Sequence, residues 1–203
     1  MRIALVAFDG FDDLSAFVAL GLLNRITAPG WKAGLAAPAT HITSMHGLTV
    51  VAQHPLEFAN EADAVVFCGG LYGRAIAANS ALLDRLQLDP VRQLVAAHDS
   101  GTLLLARLGL LADLPACADA ATKPWLVEAG VRVDDAAFHA RGPIASAGGP
   151  LGAQYLAAWL MLRGAGLDAA SHALQLVAPV GEKAAFVERV LAVVAAPPAG
   201  AAA

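Results

Sequence analysis

The chain has 203 residues, enough for one domain with a substantial core, and 58% of them are hydrophobic, a composition that excludes a disordered chain. The formal net charge is −4 and the basic residues are scattered, which argues against a nucleic-acid partner. The two cysteines, Cys68 and Cys117, form no C-x-x-C pair, so neither a zinc site nor a disulfide framework is expected.

In chain order, Ile3–Ala7 is a short continuous apolar run that ends at the turn signal Phe8-Asp9-Gly10. The opening residues read as a buried strand and not as a leader. Asp12 and Asp13 begin a helix to about Ile26, where acidic residues suit the helix dipole. Its apolar residues, among them Leu14, Phe17, Val18 and Leu22, supply more than one face. Trp31–Ala37 reads as a second strand, Thr40–Ala52 as a small hairpin or extended arm, and Ala64–Cys68 as a third core strand ending in Gly69-Gly70. Helices are expected over Ser80–Leu86 and Pro90–Leu94. Val95–Ala97 is a brief strand that stops at His98-Asp99-Ser100-Gly101, and Thr102–Leu111 is a strongly apolar helix. Pro124–Ala129 predicts a short helix and Gly130–Val133 an extended piece. Phe138–Ala140 and Pro143–Ala145 predict strands around Arg141-Gly142, and Gly148-Gly149-Pro150 starts a helix to about Arg163. Leu167–Leu176 and Glu182–Val194 add two more helices.

Strands alternating with helices predict an α/β, flavodoxin-like three-layer sandwich: a mostly parallel sheet with helices on both faces. One domain is expected over residues 1–195, with an Ala/Pro-rich tail over 196–203. No apolar run reaches the ~18 residues that cross a bilayer, so no membrane association is expected and the protein is placed in the cytoplasm. Ligands of such sheets bind beyond the carboxyl ends of the strands. That directs attention to the turns after Ala7, after Cys68 and after Ala97.

Those turns carry a family resemblance. The segments VVFCGG (Val65–Gly70), VAAHDSGTLLLARLGLL (Val95–Leu111) and IASAGG (Ile144–Gly149) resemble three landmarks of the ThiJ/PfpI superfamily, over roughly residues 1–165. In that family the second of these carries a reactive cysteine on a sharp strand-to-helix turn. Aligned on Gly101 and the following leucine run, the cysteine position is Asp99. FDGFDDLS places Ser15 on the family's acidic partner of the cysteine, Cys68 replaces a proline, and ATKPW (Ala121–Trp125) puts Pro124 where many members have a histidine.

The resemblance implies a homodimer and a pocket for a small molecule, with the backbone N–H groups of Gly70 and Ser100 holding developing negative charge. Asp99 is then a nucleophile or general base, oriented by Ser15, in a hydrolase or lyase akin to the related isocyanide hydratases. Gly69, Cys68, Leu71, Gly101, His98 and Asp119 join Pro124 as pocket candidates. Against this stands a plainer reading: Asp99 and Ser100 only cap a helix, since Asp and Ser are favoured there. A non-catalytic ligand-binding or sensory protein is the alternative, and a purely structural dimer is a third. By strand alternation His98 points away from Asp99, and Cys68 reads as a buried small hydrophobe. No cofactor is expected. An Asp9–Asp99–Asp119 metal site lacks any spacing signature, and FCGGLYG is no dinucleotide fingerprint.

Overall fold

The computed structural model describes residues 1–196. Its centre is a seven-stranded sheet in the order β5-β2-β1-β6-β7-β9-β8, formed by β1 (Arg2–Val6), β2 (Lys32–Ala37), β5 (His54–Pro55), β6 (Ala64–Phe67), β7 (Leu94–His98), β8 (Phe138–Arg141) and β9 (Ile144–Ala147). All neighbours are parallel except β8 and β9. A separate hairpin joins β3 (His41–Thr43) to β4 (Thr49–Val51). The expected flavodoxin-like α/β sandwich is therefore the observed one.

The central strands are apolar without a break because both of their faces are covered. Ile3, Leu5 and Ala7 face one layer while Ala4, Val6 and Phe8 face the other. The first layer holds α1 (Asp13–Leu23), α7 (Ala153–Ala165), α8 (Leu167–Val177) and α9 (Lys183–Ala195). The second holds short pieces: α2 (Phe58–Glu61), α3 (Gly73–Ala77), α4 (Ser80–Leu83), α5 (Thr102–Arg107) and α6 (Lys123–Glu128).

Two expectations change. Pro90–Leu94 is not a helix: Asp89 turns the chain by accepting from the N–H groups of Val91, Arg92 and Gln93, and Leu94 then pairs with Ala64 in β7. The helix after Gly101 ends at Arg107 and not at Leu111. Gly109, at φ 72°, turns the backbone so that its N–H reaches the Ala106 carbonyl and the Leu110 N–H reaches that of Leu105, a glycine-centred C-cap. The piece expected to be extended over Gly130–Val133 makes one bridge, between Ala116 and Val133. The tail expected at 196–203 lies, apart from Ala196, outside the described residues.

Candidate active site

β7 delivers His98, and the chain then breaks sharply into a short 3-10 turn, Asp99–Gly101, leading directly into α5. Asp99 has φ 49°, a left-handed backbone that non-glycine residues seldom adopt. The elbow fits because the residues around it are small. A Cβ on Gly101 would meet the Phe67 carbonyl oxygen at 2.5 Å, and one on Gly70 would collide with the Gly10 carbonyl.

The Asp99 carboxylate is only 7% exposed. Its Oδ1 accepts the backbone N–H of Asp119 at 3.1 Å and of Gly149 at 2.6 Å. Asp99 thus ties two loops, one before α6 and one before α7. It does not cap α5, since no side-chain cap bond is made at either start. That overturns the plain helix-cap reading and puts a loop-tying role in its place. Oδ2 makes no hydrogen bond among the described residues.

Ser15, expected to orient Asp99, is fully buried, and its hydroxyl donates instead to the Asp12 carbonyl at 3.1 Å. Gly70 and Ser100 come together, but not as two open donors. The Gly70 N–H donates to Ser100 Oγ at 2.9 Å, and that hydroxyl donates back to the Gly70 carbonyl at 2.9 Å. The Ser100 side chain closes the donor that the resemblance leaves open.

His98 is fully buried, yet its Nδ1 lies 3.9 Å from Asp99 Oδ2. Strand alternation stops applying at Asp99 because the left-handed residue ends the strand. The contact is not an ion pair: Nδ1 accepts the Gly69 N–H at 3.2 Å, and a nitrogen that accepts carries no proton. Nε2 is buried without a partner. Cys68 is buried, and burial, with Asp12 nearby, pushes its thiol up to about 12, which removes its nucleophilic form at neutral pH.

A cavity of about 290 Å³ opens above Asp99. Of the expected residues, Gly70, Leu71, Asp99, Ser100 and Asp119 line it. Gly69, Cys68, Gly101, His98 and Pro124 do not: Gly69 and Cys68 border a separate small crevice, Gly101 and His98 are buried, and Pro124 sits on the exposed first turn of α6. The residue after it, Trp125, supplies the wall together with Thr122 and Met45. Asp12 also lines the cavity and, although it begins a helix, is 7% exposed. Its Oδ1 caps α1 through the Leu14 N–H. The acidic helix start was readable in the sequence. The hairpin is the one expected within Thr40–Ala52, but that it folds Met45 over Asp12, through the Met45 N–H to the Phe11 carbonyl, was not readable.

Asp9 is drawn away to the Thr43 N–H and does not line the cavity. The metal-capable cluster among the described residues is instead Asp12, Asp13 and His46, in which His46 Nδ1 and Asp13 Oδ1 already bond at 2.6 Å. No helix among the described residues is long and apolar enough to cross a membrane.

The fold is that of solved structures of DJ-1 and ThiJ/PfpI family proteins. Among solved structures the chain is similar to Schizosaccharomyces pombe DJ-1, at 14% identity and a TM-score of 0.75, covering 88% of this chain and 100% of that one. It is similar to a ThiJ/PfpI family protein from Pseudomonas syringae, at 17% identity and a TM-score of 0.76, covering 95% and 87%. It is also similar to an AraC family transcriptional regulator from Pseudomonas putida, at 22% identity and a TM-score of 0.71, covering 87% and 99%. No protein-family model matches the sequence, and no curated protein matches it.

Proposed function

We propose that the protein is a small-molecule hydrolase or lyase of hydratase type in which Asp99 stands in for the cysteine of the ThiJ/PfpI fold. One observation carries this reading: a strained, buried carboxylate at the elbow faces a ligand-sized cavity, with Oδ1 fixed by two N–H groups and Oδ2 unpaired. Fixing one oxygen orients the other, which is what a positioned base or nucleophile needs. As a base, Asp99 Oδ2 takes a proton from water. The water oxygen bonds to an electrophilic carbon of the substrate, and the proton passes to the atom that receives the carbon's electron pair. The Ser100 N–H is the remaining candidate for holding developing negative charge, and the Gly70 N–H joins it only when the Ser100 hydroxyl turns aside. Reactions that build a strong oxyanion are therefore disfavoured relative to hydration.

The second reading is a ligand-binding or sensory protein. It draws support from the closed Gly70 donor and from the transcriptional regulator among the similar structures. Both readings include a cytoplasmic homodimer. The support for pairing is α1, which is apolar on its outer face, with Leu14 49% and Phe17 38% exposed. Leu48, 50% exposed on the adjoining hairpin, extends that surface.

The test is a product-detecting screen of wild type beside Asp99→Asn on isocyanides, epoxides, halo-acids, α-ketoaldehydes and activated esters. Asparagine keeps an oxygen for both loop N–H groups but is neither base nor nucleophile. Turnover lost in a folded Asp99→Asn protein supports the enzyme reading. Equal turnover in both ends Asp99 as the catalytic group.

A further inference from the structure

We infer that the cavity above Asp99 takes a small organic cation, an ammonium carried on an apolar body. The inference rests on the reading of this cavity as the ligand site and adds the class of ligand. Three carboxylates line the cavity, from Asp12, Asp99 and Asp119, and no Lys, Arg or His lines it among the described residues.

Each carboxylate spends one oxygen on the backbone. Asp12 Oδ1 accepts from the Leu14 N–H at 3.0 Å, Asp119 Oδ1 accepts from the Thr122 N–H at 2.6 Å, and Asp99 Oδ1 holds the two loop N–H groups. The second oxygen of each has no hydrogen-bond partner among the described residues. Asp99 and Asp12 are nevertheless buried, at 5% and 7% exposure. Asp12 has the His46 ring within 4.8 Å, but neither Asp99 nor Asp119 forms an ion pair with a Lys or Arg among the described residues, and a bound cation answers their charge.

Trp125 adds an aromatic wall, the side chain that best attracts a cation to its face. The ring already meets one: the Arg74 guanidinium lies 6.0 Å from its centroid. That guanidinium is bound by both oxygens of Glu128, at 3.1 and 2.8 Å, so its charge is answered outside the cavity. Leu71 and Met45 make the remaining wall apolar. A bare metal ion does not fit these acids. The carboxylate oxygens of Asp12, Asp99 and Asp119 do not gather within 4.8 Å of one another as the Asp12, Asp13 and His46 atoms do. Separated carboxylates around an aromatic wall suit an extended organic cation better than a point charge.

The probes are three compounds of one shape: benzylamine, protonated at neutral pH, benzyl alcohol and benzoate. Calorimetry on the full chain at low salt measures each. Benzylammonium is expected to bind at least about tenfold more tightly than benzyl alcohol, a difference of about 1.4 kcal/mol, and benzoate more weakly than either. Asp12→Asn is expected to weaken benzylammonium severalfold and to leave benzyl alcohol unchanged. The fold survives that change because asparagine caps a helix about as well as aspartate. Benzoate binding as tightly as benzylammonium, no benzylammonium binding at millimolar concentrations, or an affinity indifferent to Asp12→Asn each overturns the inference. Turnover is read separately. A protein that selects the cation but turns nothing over keeps this inference and loses the enzyme reading, and the reverse result does the opposite.

Discussion

The two faces of the sheet are built on different terms. One carries α1, α7, α8 and α9, helices of 11, 13, 11 and 13 residues. The other carries α2 to α6, of 4 to 6 residues each. A helix of one turn does not hold itself together in water. The second face is therefore held by tertiary contacts and specific polar ties. Buried Gln93 donates to the carbonyls of Ala59 and Ala62 at 2.7 and 2.8 Å, and Arg92 donates to that of Asn60 at 2.7 Å. The comparison teaches where a site can arise. Long helices fix the frame, while the short elements leave loops free to close over the carboxyl end of the sheet. The cavity takes Asp12 from the start of α1 on one side and the residues around α6 on the other.

The largest expected effect tests the frame. Leu160→Ala, at a fully buried position of α7, is expected to cost about 3–5 kcal/mol in urea unfolding, whereas Leu126→Ala in α6, equally buried, costs about 2 kcal/mol because the short element collapses into the space. Equal or reversed losses break the contrast between the faces. Next comes the tie between them. Asp99→Ala leaves the Asp119 and Gly149 N–H groups without an acceptor and is expected to cost about 1–3 kcal/mol, while Asp99→Asn stays within about 1 kcal/mol of wild type. A large loss in Asp99→Asn would show that charge, and not the acceptor, holds the loops.

Smaller effects sharpen the picture at single groups. Burial pushes the Cys68 and Cys117 thiols both up to about 12, with a further push from Asp12 and Asp134 respectively. A chromogenic disulfide reagent at about pH 8 is expected to leave both unmodified until denaturant is added, a large downshift in reactivity from a free thiol. Rapid labelling of the folded protein contradicts the burial of these two side chains.

The smallest effect lies at the hairpin. The hydrogen bond to Asp13 raises His46 above the usual histidine value. At Asp13, burial pushes the carboxyl up, but the His46 bond, hydrogen bonds from its own backbone and Ser44, and the His46 charge together outweigh it and leave it below the usual carboxylate value. The clasp therefore holds fully between the two ordinary values, roughly 4 to 6.5. It weakens as pH rises through the raised histidine value, and again as pH falls through the lowered carboxylate value. An NMR titration is expected to bring His46 back to the ordinary range in Asp13→Asn, and an unchanged midpoint removes the clasp.

The same division decides what the sequence could say. The long helices and the central strands were legible because their apolar patterns run for whole turns or whole strands. α2 and α3 were not: Phe58–Glu61 and Gly73–Ala77 are too short to show a period, and their shape is imposed by neighbours. Pro90–Leu94 misleads because its composition suits a helix start, while Leu94 is claimed by its pairing with Ala64. At the site, the elbow at Asp99 was legible through the family resemblance of the segment around Gly101 and its leucine run. The partners of its carboxylate were not, since Asp119 and Gly149 lie 20 and 50 residues away and contribute only backbone N–H groups, which leave no mark in a sequence.

The Ser100 hydroxyl that satisfies both polar groups of Gly70 also makes substitutions at two neighbouring positions interdependent. Asp99→Cys alone would set a thiol beside a donor already engaged. Ser100→Ala alone would strand the Gly70 amide while the aspartate still holds the loops. Each change makes sense only in the company of the other, so their joint effect will depart from the sum of the single ones.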